Sequence, residues 1–373
     1  MKSKNIHPLV TDAQEQLRKG LISRRDFLRI STLLGMSVAS ASILAACGGD
    51  ENAAVINNVV NNNVAAANNN NAVNNNAAAD DNAADDDEPE VMNVTRGGTL
   101  RAAARIESVD HPARFNLVSQ SNPWRQVFEY LTYMDADGIA YPYLLDKWEV
   151  SEDLLTWILT LKQGIKFSDG RDFTAEDVIF NFGQWLNDAE SSMKGAMSYI
   201  DPNGIEKQDE YSVIVHLQSP SIFLPEHLFS YPAMIVPDGF GGDMVAEPVG
   251  TGPFTMEEYV PGDRCVLKAR SDYWQTDGSG ESLPYLDEIV FVQTDGATAL
   301  QGGEVDFIAE PNVTEYDALK DGGFTVVATP SASTRVLRMR VDQEPWTNND
   351  VRMALKMCHD REKILSAAIM GQG

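Results

Sequence analysis

Cysteine is scarce in this chain: 373 residues contain three. That excludes a small disulfide-stapled fold and leaves no C-x-x-C pair for redox or zinc chemistry. Positive charge is scarce too, with 29 Lys and Arg against 55 Asp and Glu and a net charge of −26. A surface that acidic repels nucleic acid and anionic lipid, so neither is an expected partner; plain solubility or adaptation to salt accounts for it equally well. Long apolar runs are missing. The uncharged stretch Ile30 to Ala46 has 17 residues, diluted by Ser31, Gly35, Ser37, Ser40 and Ser42, and a spanning helix needs about 20 strongly apolar ones. Enzyme signatures are missing as well: no G-x-x-x-x-G-K-[ST], H-E-x-x-H or G-x-S-x-G occurs, so no catalytic residues are assigned and no cofactor is expected. Beyond the leader stand His111, His216, His227 and His359, without ligand spacing. His111, in "DHPARF", is the one to watch, but a histidine beside a proline reads as a turn residue, and no metal site is expected.

What is present begins with the leader. Ser23-Arg24-Arg25-Asp26-Phe27-Leu28-Arg29 resembles the twin-arginine export signal, with Arg24 and Arg25 as the recognised pair. Leu44-Ala45-Ala46-Cys47 resembles a bacterial lipobox, which makes Cys47 the lipidated first residue of the mature protein. A buried helix ending in an ordinary core cysteine is the duller reading, and it is set aside because nothing before Ser23 is expected to pack around it. Residues 1–46 are thus expected to be a cleaved twin-arginine lipoprotein signal peptide. Residues 47–95 follow as a lipid-anchored disordered linker: Glu51 to Asn76 holds 13 asparagines, and Asp80 to Glu90 holds seven acidic residues. Too little apolar surface is available there to offset the entropy of ordering. As a flexible coil, Gly48 to Thr95 spans roughly 40 Å.

From Arg96 the pattern is mixed α/β. "TLRAAARI" reads as a strand, and Asn122-Pro123 is expected to open a helix with Trp124, Val127, Phe128 and Leu131 on one face. Asp135 to Gly138 reads as a hairpin turn between Tyr133 and Tyr141 rather than a calcium loop, because Gly138 is misplaced for one. Trp157, Leu159 and Leu161 alternate with Ile158 and Thr160 at the strand period. Thr174 and Asp177 form a capping-box pattern before Val178, Ile179, Phe182, Trp185 and Leu186. Further strands are expected at Tyr211 to Gln218, around a hairpin at Pro261 to Asp263, and at Glu288 to Gln293. Helix-strand pairs are expected from Ala297 to Ile308 and from Val313 to Ala328. Cys265 and Cys358 are expected as two buried free thiols, though whether they pair stays open.

The run "GIAYPYLLDKWEVSEDLLTWILTLKQGIKFSDGRDFTAEDVIFNF" from Gly138 resembles the signature region of family 5 extracellular solute-binding proteins. "VGTGPFTMEEYVPGDRCVLKARSDYW" from Val249, "ALQGGEVDF" from Ala299 and "NDVRMALKMCHDREKIL" from Asn349 follow in that family's order. The resemblance implies an α/β, two-lobed periplasmic-binding-protein-like fold with mixed sheets and an extra small subdomain. It places the first lobe at 96–131 and 210–334, the small subdomain at 132–209, and the hinge with the start of the second lobe at 335–373. The second large lobe is then mostly missing and the sequence truncated at its C-terminal end, with weak ligand binding expected as a result. "TRVLRMRV", Thr334 to Val341, is the candidate hinge strand. The function implied is the extracytoplasmic binding component of an ABC importer. Its expected partners are a peptide or other small solute, permease subunits with their ATPase, and the membrane through the lipid anchor; a monomer is expected. Ligand contacts are expected from Ser119, Gln120, Ser121, Asn122 and Trp124, read as a cleft-bordering loop, and from Arg335 and Arg338 as carboxylate partners. A secreted lipoprotein hydrolase and a sensory ligand receptor are the alternatives.

Overall fold

The computed structural model describes residues 6–46, 94–309, 311–327 and 336–370. Cys47, the Asn-rich linker up to residue 93, and Arg335 lie outside them. The protein divides into two units, Met1–Arg101 with Arg105–Gln293, and Ala102–Ala104 with Thr294–Gly373.

The first unit contains the strand β1 (Thr99–Ala103) up to Arg101, a hairpin of β2 (Thr132–Met134) and β3 (Ala140–Pro142), and an antiparallel sheet. That sheet has the order β4 (Leu145–Val150), β5 (Thr156–Leu161), β7 (Ser212–Leu217), β6 (Ile200–Asp209). In β5 the side chains of Trp157, Leu159 and Leu161 are buried while those between them are half-exposed, as alternation requires of a sheet covered on one face. The α-helix Ala175–Asn187 packs into the same core through Val178, Phe182 and Trp185. Each such fully buried side chain contributes about 1.5–3 kcal/mol. The expected capping box is formed: Asp177 accepts from the backbone N–H of Thr174 at 2.8 Å. In the β2–β3 hairpin Tyr133 faces Tyr141. Asp135 Oδ1 accepts from the N–H groups of Asp137 and Ile139, both at 2.9 Å, so this aspartate builds the turn.

A second sheet runs β1, β10 (Glu288–Val292), β9 (Arg264–Ala269), β8 (Phe254–Val260), with the expected hairpin joining β8 to β9. The two sheets are tied by Arg270, whose side chain is 3% exposed. Its guanidinium donates to the carbonyls of Gly250 (3.3 Å), Gly252 (3.2 Å), Lys166 (3.3 Å) and Phe167 (3.4 Å), with Asp272 as counter-ion. Gly250 lies directly against the Val127 carbonyl, leaving no room for a Cβ.

The leader folds as three helices within this unit, Pro8–Arg18, Arg24–Leu33 and Val38–Ala46 (α1 to α3). The expectation that nothing before Ser23 packs is therefore corrected: Val10 and Ala13 of α1 are buried with Phe27, Leu34 and Leu44. Ser23 and Asp26 form a capping box at the start of α2, a second physical role for the S-R-R-D pattern. Leu33 is buried in the main core, and the Trp148 indole N–H donates to its carbonyl at 3.2 Å. At Gly35, φ is +84° and a Cβ would sit 2.6 Å from the Trp148 carbonyl, so only glycine lets the backbone leave α2 here. Among the described residues no helix is long and apolar enough to cross a membrane.

In the second unit Ala102 and Ala103 pair in parallel with Phe307 and Ile308 of β11. The helix Gly296–Gln301 joins them in a small core of Ala103, Ala299 and Val305. The helices Tyr316–Asp321, Asn349–Met357 and Arg361–Ile369 follow. Residues 336–341 form no strand, contrary to the strand expected there; no described strand lies alongside to supply the hydrogen-bond ladder. The last two helices are separate because Asp360 caps a new start by accepting from the Lys363 N–H at 3.1 Å. Neither helix buries a residue, so Cys358 is exposed rather than buried; Cys265 is buried as expected, and both are free thiols.

Candidate functional site

The helix Val118–Trp124, α4 in sequence order, occupies the segment expected to be a cleft loop. Gln120 starts it, its side-chain oxygen accepting from the N–H groups of Asn116 (2.9 Å) and Leu117 (3.1 Å). Pro123 lies in its last turn, so the helix ends where Asn122-Pro123 was expected to begin one. The backbone then runs on in turns, and Trp124, Val127, Phe128 and Leu131 are all buried as their spacing required.

The expected ligand residues part company here. Trp124 is fully buried, with its ring 4.8 Å from Tyr259 and 5.9 Å from Phe128. Ser121 is buried and donates to the Val118 carbonyl at 2.7 Å. Gln120 is occupied as a cap. Ser119 and Asn122 are half-exposed, and their side chains make no hydrogen bond among the described residues. Arg338 is exposed in the second unit. His111 is a buried cap: Nδ1 accepts from the Ala113 N–H at 3.0 Å, and burial first, then Arg114, pushes its pKa down.

Directly after α4 the first unit holds a cavity of about 180 Å³, lined by Arg125, Glu129, Tyr130, Tyr133, Tyr143 and Phe229. Glu129 is 2% exposed. One carboxylate oxygen accepts from the Tyr273 hydroxyl at 2.5 Å and the Tyr143 hydroxyl at 2.8 Å; the other accepts from the Trp274 indole at 3.0 Å. Burial pushes the Glu129 pKa up, against the pull of those donors. Lys162 donates to the Tyr143 carbonyl at 2.6 Å and stands 4.9 Å over the Trp274 ring; burial lowers its pKa. The sequence carried a signal for this site, a carboxylate and an arginine inside the apolar run "WRQVFEYL". What it did not carry was the identity of the distant donors. Among the described residues no cluster of three metal-ligating side chains occurs.

Residues 140–373 match the family described as bacterial extracellular solute-binding proteins, family 5 Middle. The chain belongs to this family. Among relatives of this family 5 protein, the glutathione-binding protein GsiB of Salmonella paratyphi A is 34% identical over 259 residues, 66% of this chain and 49% of that protein. The di/tripeptide-binding protein 1 of Pseudomonas aeruginosa is 27% identical over 278 residues, 66% of this chain and 51% of that protein. The periplasmic binding protein DppA of Helicobacter pylori, solved with the peptide STSA, shares the fold with a TM-score of 0.62 at 21% identity, covering 74% of this chain and 59% of that one. Such structures are two-lobed periplasmic binding proteins, and the mixed α/β fold expected from the sequence is theirs. The chain spans about half the length of the curated relatives it matches.

Proposed function

We propose that this family 5 protein captures short peptides outside the cytoplasm and hands them, chemically unchanged, to a membrane permease driven by an ATPase. The observation that carries the reading is the family match over residues 140–373. The glutathione-binding and di/tripeptide-binding names of two relatives favour a peptide-like solute over a sugar or a bare metal. Capture in such a fold is a population shift: a solute closes two lobes only to the extent that it binds the closed state more tightly. Ser119 and Asn122, whose side chains make no hydrogen bond among the described residues, are the sequence-derived positions best suited to a peptide backbone. Export through the twin-arginine route, lipidation at Cys47 and a monomeric state complete the proposal. Calorimetry with glutathione and a di- to pentapeptide library is expected to give saturable heat and intact peptide after release. Cleaved product would return the hydrolase reading, and heat with sugars or nickel alone would sink the peptide assignment.

A further inference from the structure

The cavity behind α4 has a donor left over. Arg125 spends one N–H on the Ser121 hydroxyl at 2.6 Å, but its Nε–H is buried without a hydrogen-bond partner among the described residues. It forms no ion pair with any carboxylate among the described residues. Glu129, on the same wall, is in the opposite condition, with three donors already on its two oxygens. The cavity therefore lacks an acceptor for Arg125 and has little need of a further donor. A buried polar group without a partner is costly, and a guanidinium fork fits a carboxylate through two parallel hydrogen bonds.

The remaining wall is aromatic. Phe229 stands edge-on to Tyr130 and to Tyr133, each with ring centres 5.3 Å apart. The Tyr130 hydroxyl is kept neutral by burial, its pKa pushed up to about 12. Aromatic walls on their own also suit an organic cation. Arg125 decides against one, because a second positive charge would face an uncompensated guanidinium. In size, the cavity of about 180 Å³ compares with the roughly 150 Å³ that accommodates benzene in an engineered apolar cavity.

We propose that this cavity is a binding site for a small aromatic carboxylate of benzoate or phenylacetate size, with the carboxylate on Arg125 and the ring against Tyr130, Tyr133 and Phe229. Neither Ser119 nor Asn122 lines this cavity, so the proposal stands or falls separately from peptide capture.

The test is calorimetry of the full-length protein with benzoate and phenylacetate, using benzyl alcohol and benzylamine as neutral and cationic counterparts. The carboxylates are expected to bind at least about tenfold more tightly than either counterpart, the difference a charge-assisted hydrogen bond makes. Arg125→Gln is expected to remove that preference with an unchanged unfolding midpoint, and Arg125→Lys to keep part of it. Should Arg125→Gln unfold, the four-ligand series on the unaltered protein still decides. No heat with either carboxylate at millimolar concentration, benzylamine binding as well as benzoate, or an Arg125→Gln protein that folds and retains the preference would each overturn the proposal.

Discussion

At Gly250 the backbone passes so close to the Val127 carbonyl that one added carbon overlaps it, while the Gly250 carbonyl accepts from the buried Arg270 guanidinium. This single residue thus allows two close approaches, one to the segment after α4 and one to the clamp that also holds Lys166 and Phe167. Gly250→Ala is expected to destabilise the first unit by about 1–3 kcal/mol, the range for forcing extra volume into a packed site. Urea denaturation followed by tryptophan fluorescence measures it. A midpoint indistinguishable from the parent would mean that the loop relaxes at no cost. The glycine was quotable from "VGTGPF", but its physical reason was not, because the carbonyl it meets lies more than a hundred residues earlier in the sequence. The same limit applies to Glu129, whose partners Tyr143, Tyr273 and Trp274 stand 14, 144 and 145 residues away.

Elements whose determinants are local were legible: the β2–β3 turn, the alternation in β5, the capping box at Thr174 and the β8–β9 hairpin are each written within a few consecutive residues. Elements that depend on a distant partner were not. Residues 336–341 have strand composition but no described neighbouring strand, and Cys358 caps the end of a helix that buries nothing. The leader is the largest such case. Its helices are short and its sequence resembles an export signal, yet Leu33 inserts into the main core. Arg29 meets Glu226 at 2.8 Å, and Arg25 donates to the Asp137 and Ala136 carbonyls. The ion pair is half-exposed, so the apolar contact dominates the docking. Leu33→Ala is expected to remove about 2 kcal/mol or more of docking energy, which corresponds to a roughly 30-fold rise in amide exchange over Arg24–Leu33. Hydrogen exchange with mass spectrometry reads that rate. Unchanged exchange in α2 would show that the leader is held by something other than this side chain.

For the molecule as a whole, the docked leader and the proposed anchor describe two successive forms of one polypeptide. In the structure α1 to α3 cover part of the first unit through Leu33, Leu34 and Gly35; under the proposal a cut ahead of Cys47 would remove that cover and hand attachment to lipid. One acyl group of about 0.8 kcal/mol per buried methylene holds a protein only marginally, whereas two or three hold it firmly. The leader holds seven Lys and Arg against three Asp and Glu, so its removal also leaves the globule more negative and less inclined to settle on anionic lipid. Export must precede lipidation in this scheme, and that order makes two different substitutions converge on one readout. Cys47→Ser removes the acceptor sulfur, and Arg24→Lys with Arg25→Lys keeps the charge and the helix start while removing the guanidinium pair. Both proteins are expected to incorporate no labelled palmitate and to retain all 46 leader residues by intact mass, but only the cysteine variant is expected outside the cytoplasm. Label in the Cys47→Ser protein equal to the parent would end the anchor proposal. Full label in the double lysine variant would leave the anchor in place and assign export to a route that does not read the arginine pair.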